Sequence, residues 1–290
     1  MAKRLILFGL SLLLCGIFYI TNCTQEPTAP KFQEEIIING YLIVGHGVDT
    51  LHISKSLHIN EEFSYAVAAV STDSVFISVD NHAYRLLEYP RKPGAYYLSK
   101  DSITVTPGKK YDLIVHVDGK TLRASTIAPE QIRIQTLYPD TSYYPYPDPG
   151  KSARFTLTWE KTDYTAAYEV SVIAKPPYDL INWGLDQLVQ HRLEMYDCDT
   201  LRAFWPVHDF PVGINETSVD ISWFAFSYYG DYTIKLYAMD DNLWDLAASS
   251  SVYMPQSSEF EQPVYHIDGG LGIFAAVSVD SVHVYVKRQE

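Results

Sequence analysis

A succession of short β-type runs, each bounded by turn residues, is the feature of this sequence that most restricts its fold. Between residues 35 and 129 the runs alternate apolar and polar side chains, as strands with one buried face do. The clearest pair, Tyr111–Val117 and Lys120–Thr126, is joined by Asp118-Gly119, which suits the positive φ angles of a type I′ turn. The other runs predicted as strands here are Ile36–Val44, Thr50–Ser54, Ser74–Val79, Ala83–Leu87 and Ala95–Leu98. The pattern predicts an immunoglobulin-like β-sandwich over residues 35–129.

A second β region follows a segment rich in tyrosine and proline. That segment, residues 138–150, is predicted to be a loop because proline removes the donors of a strand ladder. Alternation resumes at Phe155–Glu160 and places Phe155, Leu157 and Trp159 on one face. Further strands are predicted at Tyr168–Ala174, Tyr232–Met239 and Ser281–Lys287. The spacing predicts a fibronectin type III-like sandwich over residues 130–290.

One helix is expected inside this second region. After Pro176-Pro177, apolar residues recur near a period of 3.6, so residues 179–195 are predicted to form an inserted amphipathic helix. Near the C-terminus, the glycine-rich run Gly269–Gly272 is predicted to be a structural turn, with anion binding by its backbone N–H groups as the alternative. The expected fold class is therefore all-β, with two sandwiches and one helix. A content of 23 tyrosines supports it, since aromatic residues favour strands.

The first 22 residues have the layout of a secretory signal. Lys3 and Arg4 precede an apolar stretch, Leu5–Ile20, of about 16 residues, which is short of the roughly 20 that cross a bilayer. The sequence Ile20-Thr21-Asn22-Cys23 then resembles the lipobox of bacterial lipoproteins, although Asn22 replaces the usual small residue. We therefore predict lipidation of Cys23, with an uncleaved membrane anchor as the alternative. Residues 23–34 would form a polar tether.

Charge and cysteine content limit the partners. The formal net charge is −13, and removing the signal leaves 20 basic against 35 acidic residues. Such an acidic surface repels phosphate backbones and anionic lipid headgroups, so nucleic acid is excluded as a partner and membrane attachment must come from a covalent lipid. Cys15 lies within the apolar signal, so Cys198 alone would remain as a free thiol. No intrachain disulfide is expected.

Several short motifs then match a known family in order along the chain. They are Tyr111-Asp112-Leu113, Asp118-Gly119-Lys120, Ala124-Ser125-Thr126, Pro129 and the late run Gly269–Ala276. These motifs resemble the domain-of-unknown-function lipoproteins abundant in Bacteroidota. The resemblance implies an outer-membrane lipoprotein, often associated with TonB-dependent receptor systems, with no established activity and no catalytic residues to carry over.

No motif indicates a particular chemistry, so enzymatic activity and a cofactor are not expected. The sequence contains no Gly-x-Ser-x-Gly, no His-Glu-x-x-His and no phosphate-binding loop. A calcium site at Asp240, Asp241, Asn242 and Asp245 is a weak candidate, since these residues supply oxygen ligands without EF-hand spacing. His208-Asp209 and the other histidines lack zinc spacing.

Three functional hypotheses remain. The first is a non-enzymatic binding or accessory module of the cell envelope, working with a TonB-dependent receptor or another envelope protein. The second is a glycan-binding surface lipoprotein, with Tyr143, Tyr144 and Tyr146 as an aromatic platform assisted by tryptophans such as Trp183, Trp205, Trp223 and Trp244. The competing interpretation places these rings in the core and at a seam between domains. The third is a hydrolase.

Overall fold

Two β-sandwiches that share one long C-terminal strand make up the fold. The computed structural model describes residues 32–144, 155–177, 179–180, 207–222, 225–250 and 263–288. Its strands are β1 (Ile36–Ile43), β2 (Val48–Lys55), β3 (Val75–Val79), β4 (His82–Arg85), β5 (Leu87–Glu88), β6 (Ala95–Leu98), β7 (Lys110–Val117), β8 (Lys120–Ile127), β9 (Ile134–Tyr138), β10 (Thr141–Tyr144), β11 (Phe155–Trp159), β12 (Ala167–Ala174), β13 (Asp179–Leu180), β14 (Val207–Val212), β15 (Ser218–Ile221), β16 (Tyr228–Met239), β17 (Ile267–Asp268) and β18 (Leu271–Arg288). The helices are α1 (Tyr65–Ala68) and α2 (Asp241–Ser249).

The first sandwich packs two sheets around one apolar core. One sheet has the order β18-β1-β2-β6-β5 and the other the order β17-β8-β7-β3-β4. Alternate side chains of the strands point inward, so β7 buries Tyr111, Leu113, Val115 and Val117. At the turn between β7 and β8, Asp118 and Gly119 have φ angles of 50° and 75°. The predicted type I′ hairpin is therefore confirmed.

The second sandwich has its own core. A sheet of order β14-β12-β16-β18 faces the three-stranded sheet β15-β11-β9. Phe155, Leu157 and Trp159 of β11 are all buried, as the alternation predicted. Phe226 packs between β11 and β16. Its ring centroid lies 4.9 Å from that of Phe155 and 5.0 Å from that of Tyr232. The all-β sandwich class is thus confirmed in both halves.

Strand β18 connects the sandwiches. Its first part, Leu271–Val277, pairs in parallel with β1, and its second part, Val277–Val286, pairs antiparallel with β16. Strand β17 pairs with β8 just before this, so residues 267–277 complete the first sandwich. The predicted division at residue 129 therefore differs from the structure at the C-terminus. Local alternation carries no signal for a parallel pairing between segments more than 230 residues apart in the sequence.

Two other predicted segments differ from the structure. Residues 138–150 were predicted as loop, but Thr141–Tyr144 form β10 and pair with the end of β18, between residues 285 and 288. The predicted helix at 179–195 begins instead with β13, which pairs with Tyr228 and Tyr229 of β16. Residues 181–195 lie outside the described part of the chain. In both places the strand partner is distant in sequence, so tertiary pairing decides the conformation.

Candidate functional site

Helix α2 begins at a buried aspartate where the two sandwiches meet. Asp240 is the N-cap, and its carboxylate accepts hydrogen bonds from the backbone N–H groups of Leu243 at 2.9 Å and Ala276 at 3.0 Å. The Thr126 hydroxyl of β8 donates a third bond to the same carboxylate. The Asp240 backbone N–H in turn donates to the Ala276 carbonyl at 3.2 Å. One side chain thereby joins α2 to both sheets of the first sandwich.

Burial governs the electrostatics of this carboxyl. The surrounding protein excludes water, and this desolvation raises the pKa of Asp240 to about 6, although the three hydrogen bonds favour the ionised form. The neighbouring Asp241 raises the pKa further because its negative charge disfavours a second one. Asp240 therefore changes protonation in a range where most aspartates stay ionised.

Asn242 makes a second connection beside Asp240. Its side-chain Nδ2 donates to the carbonyl of Ser125 in β8 at 2.7 Å and to the carbonyl of Phe274 in β18 at 2.8 Å. The next two residues of the helix, Leu243 and Trp244, pack against a small apolar cluster of Ala167, Met239 and Val277. The first turn of α2 therefore fixes the helix against both sandwiches.

An open groove of about 720 Å³ lies beside this helix, over the outer face of the β8 sheet. Its lining is mainly polar and comes from β3, β7, β8, β17 and α2, together with the residues just before β17. The lining residues are Ser78, Asp112, Leu113, Ile114, Arg123, Ala124, Ser125, Asn242, Tyr265, His266, Ile267 and Asp268. Strand registers place Ser78, Asp112 and Ser125 in one row across three strands.

Charges of both signs are arranged along the groove. Arg123 stands opposite Asp268 in the β8–β17 register, and neither forms an ion pair with any residue that the structure describes. Asp112 is paired with Lys110 at 2.9 Å. At the other side, His266 Nε2 lies 2.8 Å from the carboxylate of Asp245. Within the described part of the chain, the guanidinium of Arg123 and the carboxylate of Asp268 therefore stay available to a polar ligand.

The calcium candidates do not converge on one point. Asp240 turns its carboxylate to three protein donors, Asn242 uses its amide to bridge β8 and β18, and Asp245 pairs with His266. Asp241 is exposed in the first turn of α2. Among the described residues, no three His, Cys, Asp or Glu side chains are close enough together to hold a metal ion. Asp240 instead caps the helix, and Asn242 docks it.

The predicted aromatic platform is only partly described. The backbones of Tyr143 and Tyr144 lie in β10, opposite Lys287 and Arg288, while Tyr146 falls outside the described residues. Trp183, Trp205 and Trp223 also fall outside, as do Cys23 and Cys198. Trp244 lies in α2 and packs against Ala167, Met239 and Val277, which we call the junction cluster. This ring therefore lies between the two sandwiches.

A serine and a histidine approach each other elsewhere, as the hydrolase hypothesis requires. His208 Nε2 lies 3.4 Å from Ser227 Oγ, but Ser227 is buried. Burial lowers the pKa of His208, while Asp209 raises it. The Asp209 carboxylate accepts a hydrogen bond from Ser171 and, being the next residue of a strand, points to the other face. This pair is a part of the packing between β14 and the segment before β16.

Sequence reasoning missed most of the groove. It noted Asp112 and Ser125 only as parts of short motifs, and it did not select Arg123, Tyr265 or His266. The alternation in β8 already placed Arg123 and Ser125 outward, so part of the groove floor was accessible from sequence. The approach of β17 to β8, which adds Asp268 and its neighbours, depends on a long-range pairing.

Taken together, the fold and the groove define a protein of two joined β-sandwiches with an open polar site on the first. The chain belongs to the family described as Domain of unknown function (DUF4249), whose profile matches residues 24–282. No curated protein matches the sequence. In the described part of the chain, no helix has the length and apolar character needed to span a membrane.

Two solved structures illustrate the similarity to fibronectin type III proteins. The chicken CNTN1 FN1-FN3 domains are 12% identical over 86% of this chain, with a TM-score of 0.24, and this chain spans 66% of that fragment. A two fibronectin type III domain segment from chicken tenascin is 10% identical over 82% of this chain and 99% of its own length, with a TM-score of 0.20. The strand pairings given above define the fold.

Proposed function

We propose that this protein is an exported lipoprotein, acylated at Cys23 and held at the outer membrane, that acts as a non-enzymatic binding or accessory module. The basic residues Lys3 and Arg4, the short apolar stretch and the lipobox-like sequence before Cys23 support the anchor. The family match starts at residue 24, directly after this cysteine, as it should if the mature domain begins there. Stable anchoring requires more than one acyl chain, because a single chain gives only marginal binding.

The polar groove is the observation that carries the binding role. Its floor is a sheet face and its wall is a helix docked by Asp240 and Asn242, so the site is held by rigid elements. Arg123 and Asp268 form no ion pair with the described residues, so they can recognise an acceptor and a donor on the same partner. We propose that the partner is a TonB-dependent receptor or another envelope protein that places a polar segment in this groove.

Site-directed crosslinking in native membranes tests this function. A photo-crosslinking amino acid at Ser125, an exposed residue of the groove floor, should capture a specific envelope protein and leaves Arg123 in place. The same group at Lys161, in the loop after β11 of the second sandwich, should not. Arg123→Ala should weaken co-purification of the captured protein. Capture of no protein from position 125 in fully lipidated membranes would contradict the proposal.

Glycan binding is the second candidate, and the groove supports it as well. Asp112, Asn242 and Tyr265 combine a carboxylate, an amide and an aromatic ring, the groups that recognise sugar hydroxyls and ring faces. A glycan array with the wild type, Tyr265→Ala, and the triple Ala variant of Tyr143, Tyr144 and Tyr146 would separate the two possible sites. The absence of enzymatic activity is part of our proposal, and turnover of chromogenic esters or glycosides would contradict it.

A further inference from the structure

An exposed apolar segment lies at the end of the first sandwich from which the N-terminal tether leaves. Between β2 and β3, Ile59 is 93% exposed, Phe63 72% and Val67 56%. Large apolar side chains exposed within one short segment of the chain, here residues 59–67, favour a contact with another molecule or with a membrane. We call residues Ile59, Phe63, Tyr65 and Val67 the apolar tip.

The apolar tip is held by the sandwich beneath it. The Val70 N–H donates to the Ile53 carbonyl of β2 at 3.0 Å, and Ala68 is buried. The Tyr65 ring contacts the His52 ring edge to face, with centroids 5.4 Å apart. Because its base is fixed in this way, the segment presents Ile59 and Phe63 outward instead of folding them into the core.

The strand register shows where this tip lies relative to the rest of the molecule. Ile36, the first residue of β1, is paired with Lys55, the last residue of β2. From this end, β1 and the parallel part of β18 run together toward Val277, where the second sandwich begins. The apolar tip is therefore at the end of the first sandwich that points away from the second.

The tether reaches the same end. Phe32 packs edge to face against the His58 ring, with centroids 5.4 Å apart, directly beside Ile59. Glu34 pairs with Lys55 at 2.9 Å, which fixes the chain just before β1. Phe32 is nine positions after Cys23, a reach of about 30 Å at most for an extended chain. A lipid on Cys23 would thus keep this end of the sandwich at the bilayer.

We propose that the apolar tip inserts into the bilayer interface beside the lipid anchor, so that the first sandwich is proximal to the membrane and the second is distal. The inference rests on the proposed acylation of Cys23. Glu61 and Glu62 lie within the same segment, so their carboxylates stay among the headgroups and limit insertion to interfacial depth. The acidic charge of the chain makes this contact hydrophobic, since anionic lipids would repel the protein.

Fluorescence quenching on the full lipidated chain tests the orientation. After Cys198→Ser removes the remaining free thiol, Ile59→Cys is labelled with an environment-sensitive dye in phosphatidylcholine and phosphatidylethanolamine vesicles. Tyr164→Cys is the matched control, because Tyr164 is exposed and its ring neighbours Gly108, near the junction with the second sandwich. Nitroxide-labelled lipids should quench the dye at position 59 several-fold more strongly than the dye at position 164.

The experiment separates a failure of the apolar tip to insert from a failure of Cys23 acylation. Equal quenching at positions 59 and 164, in protein that floats with the vesicles, would overturn the insertion but leave the lipoprotein assignment standing. Protein that does not float with the vesicles would instead contradict the acylation. A dye at position 59 that is shielded from aqueous iodide but not quenched by nitroxide lipids would show a protein contact and would also overturn the insertion.

A second variant, Ile59→Ser with Phe63→Ser in the Cys23→Ser background, should reduce the weak vesicle binding of the unanchored protein by on the order of tenfold.

Discussion

The two halves of β18 are packed differently, although they form one continuous strand. From Ile273 to Ser278 six consecutive residues are buried, whereas from Val282 to Lys287 the more buried residues alternate with exposed ones. In the first half, Phe274 and Ala276 face the core of the first sandwich, while Val277 joins the junction cluster with Trp244 of α2. The second half covers only one core. A strand enclosed on both faces depends on close packing, and an ordinary sheet strand depends on alternation.

Glycine substitutions provide the strongest test of this difference. Gly272 in the first half has a φ of 103°, and a Cβ there would stand 1.9 Å from the carbonyl oxygen of Ile38. Gly230 pairs with the second half at Val286 and has a φ of 115°, and no atom of the described residues lies within 4 Å of a Cβ built there. The two glycines share backbone strain, but only Gly272 adds a clash with a neighbouring strand.

We expect Gly272→Ala to lower the free energy of unfolding by about 4 kcal/mol, because β18 must separate from β1. Gly230→Ala should cost about 1 kcal/mol, the effect of an unfavourable φ alone. Urea denaturation of both variants checks the comparison. Equal losses would mean that β18 does not approach β1 as closely as the structure shows.

The pH dependence of stability is the next largest effect expected in the first half. Burial raises the pKa of Asp240 to about 6 in the folded protein, against about 3.9 in an unfolded chain. Between these values the folded state binds more protons, so the free energy of unfolding falls as pH rises. The stabilisation is fully present below pH 4 and is lost as pH passes through about 6, with a total change of about 3 kcal/mol.

Asp240→Asn should remove this part of the pH profile. Subtracting its unfolding free energies from those of the wild type, at each pH between 4 and 7, isolates the contribution of the carboxyl group. Asp280→Asn, in the second half of β18, is the control. It should leave the pH-dependent contribution of Asp240 to the free energy of unfolding unchanged. A wild-type and Asp240→Asn difference that does not vary with pH would contradict the desolvation of Asp240.

Removing the carboxyl group altogether compares the two halves in a third way. Asp240→Ala deletes a helix cap and leaves the Ala276 N–H without its carboxylate, and we expect a loss of about 2 kcal/mol at pH 7. Asp280 also accepts a backbone hydrogen bond, from the Ile134 N–H at 2.8 Å, but it is nearer solvent. Asp280→Ala should therefore cost only about 1 kcal/mol. Thermal unfolding at constant pH checks this order, and a larger loss of stability in Asp280→Ala than in Asp240→Ala would contradict it.

The same contrast explains how much of the fold the sequence could predict. Alternation was sufficient for Ser281–Lys287 and for the β7–β8 hairpin, because a half-buried strand shows its pattern locally. It could not show that Gly269–Ala276 belongs to the first sandwich, since six consecutive buried residues carry no period of two. Gly270 and Gly272 were predicted as parts of a turn, and the physical reason for them, close approach to Ile36 and Ile38, appears only with the paired strands.

The candidate site divides in the same way. The sequence grouped Asp240, Asp241, Asn242 and Asp245 as oxygen ligands. In the structure, three of them contact residues more than 20 positions away, such as Ala276 for Asp240 and His266 for Asp245. A cap on a short helix and a metal site both place oxygen-bearing side chains close together in sequence. The hydrogen-bond donors around the carboxylate distinguish a cap from a metal site. One of the donors to Asp240, Thr126, is 114 residues away in the sequence. The sequence therefore supported a calcium site only weakly and gave no signal for a cap at Asp240.

The smallest expected effect concerns the ion pair at the rim of the groove. His266 and Asp245 are 2.8 Å apart, but both side chains are substantially exposed, at 39% and 44%. Exposed pairs contribute little, because water and salt screen the charges and both side chains lose conformational freedom. We expect His266→Ala to change the free energy of unfolding by no more than about 0.5 kcal/mol.

If the groove binds the partner, His266→Ala should nevertheless weaken crosslinking from Ser125, because the imidazole lines the site beside Tyr265. A variant of unchanged stability and reduced capture would separate recognition from folding. A loss of stability as large as that of Asp240→Ala would instead make His266 part of the junction. His266 would then stabilise the packing around the first half of β18, and the groove would result from that packing without being a binding site.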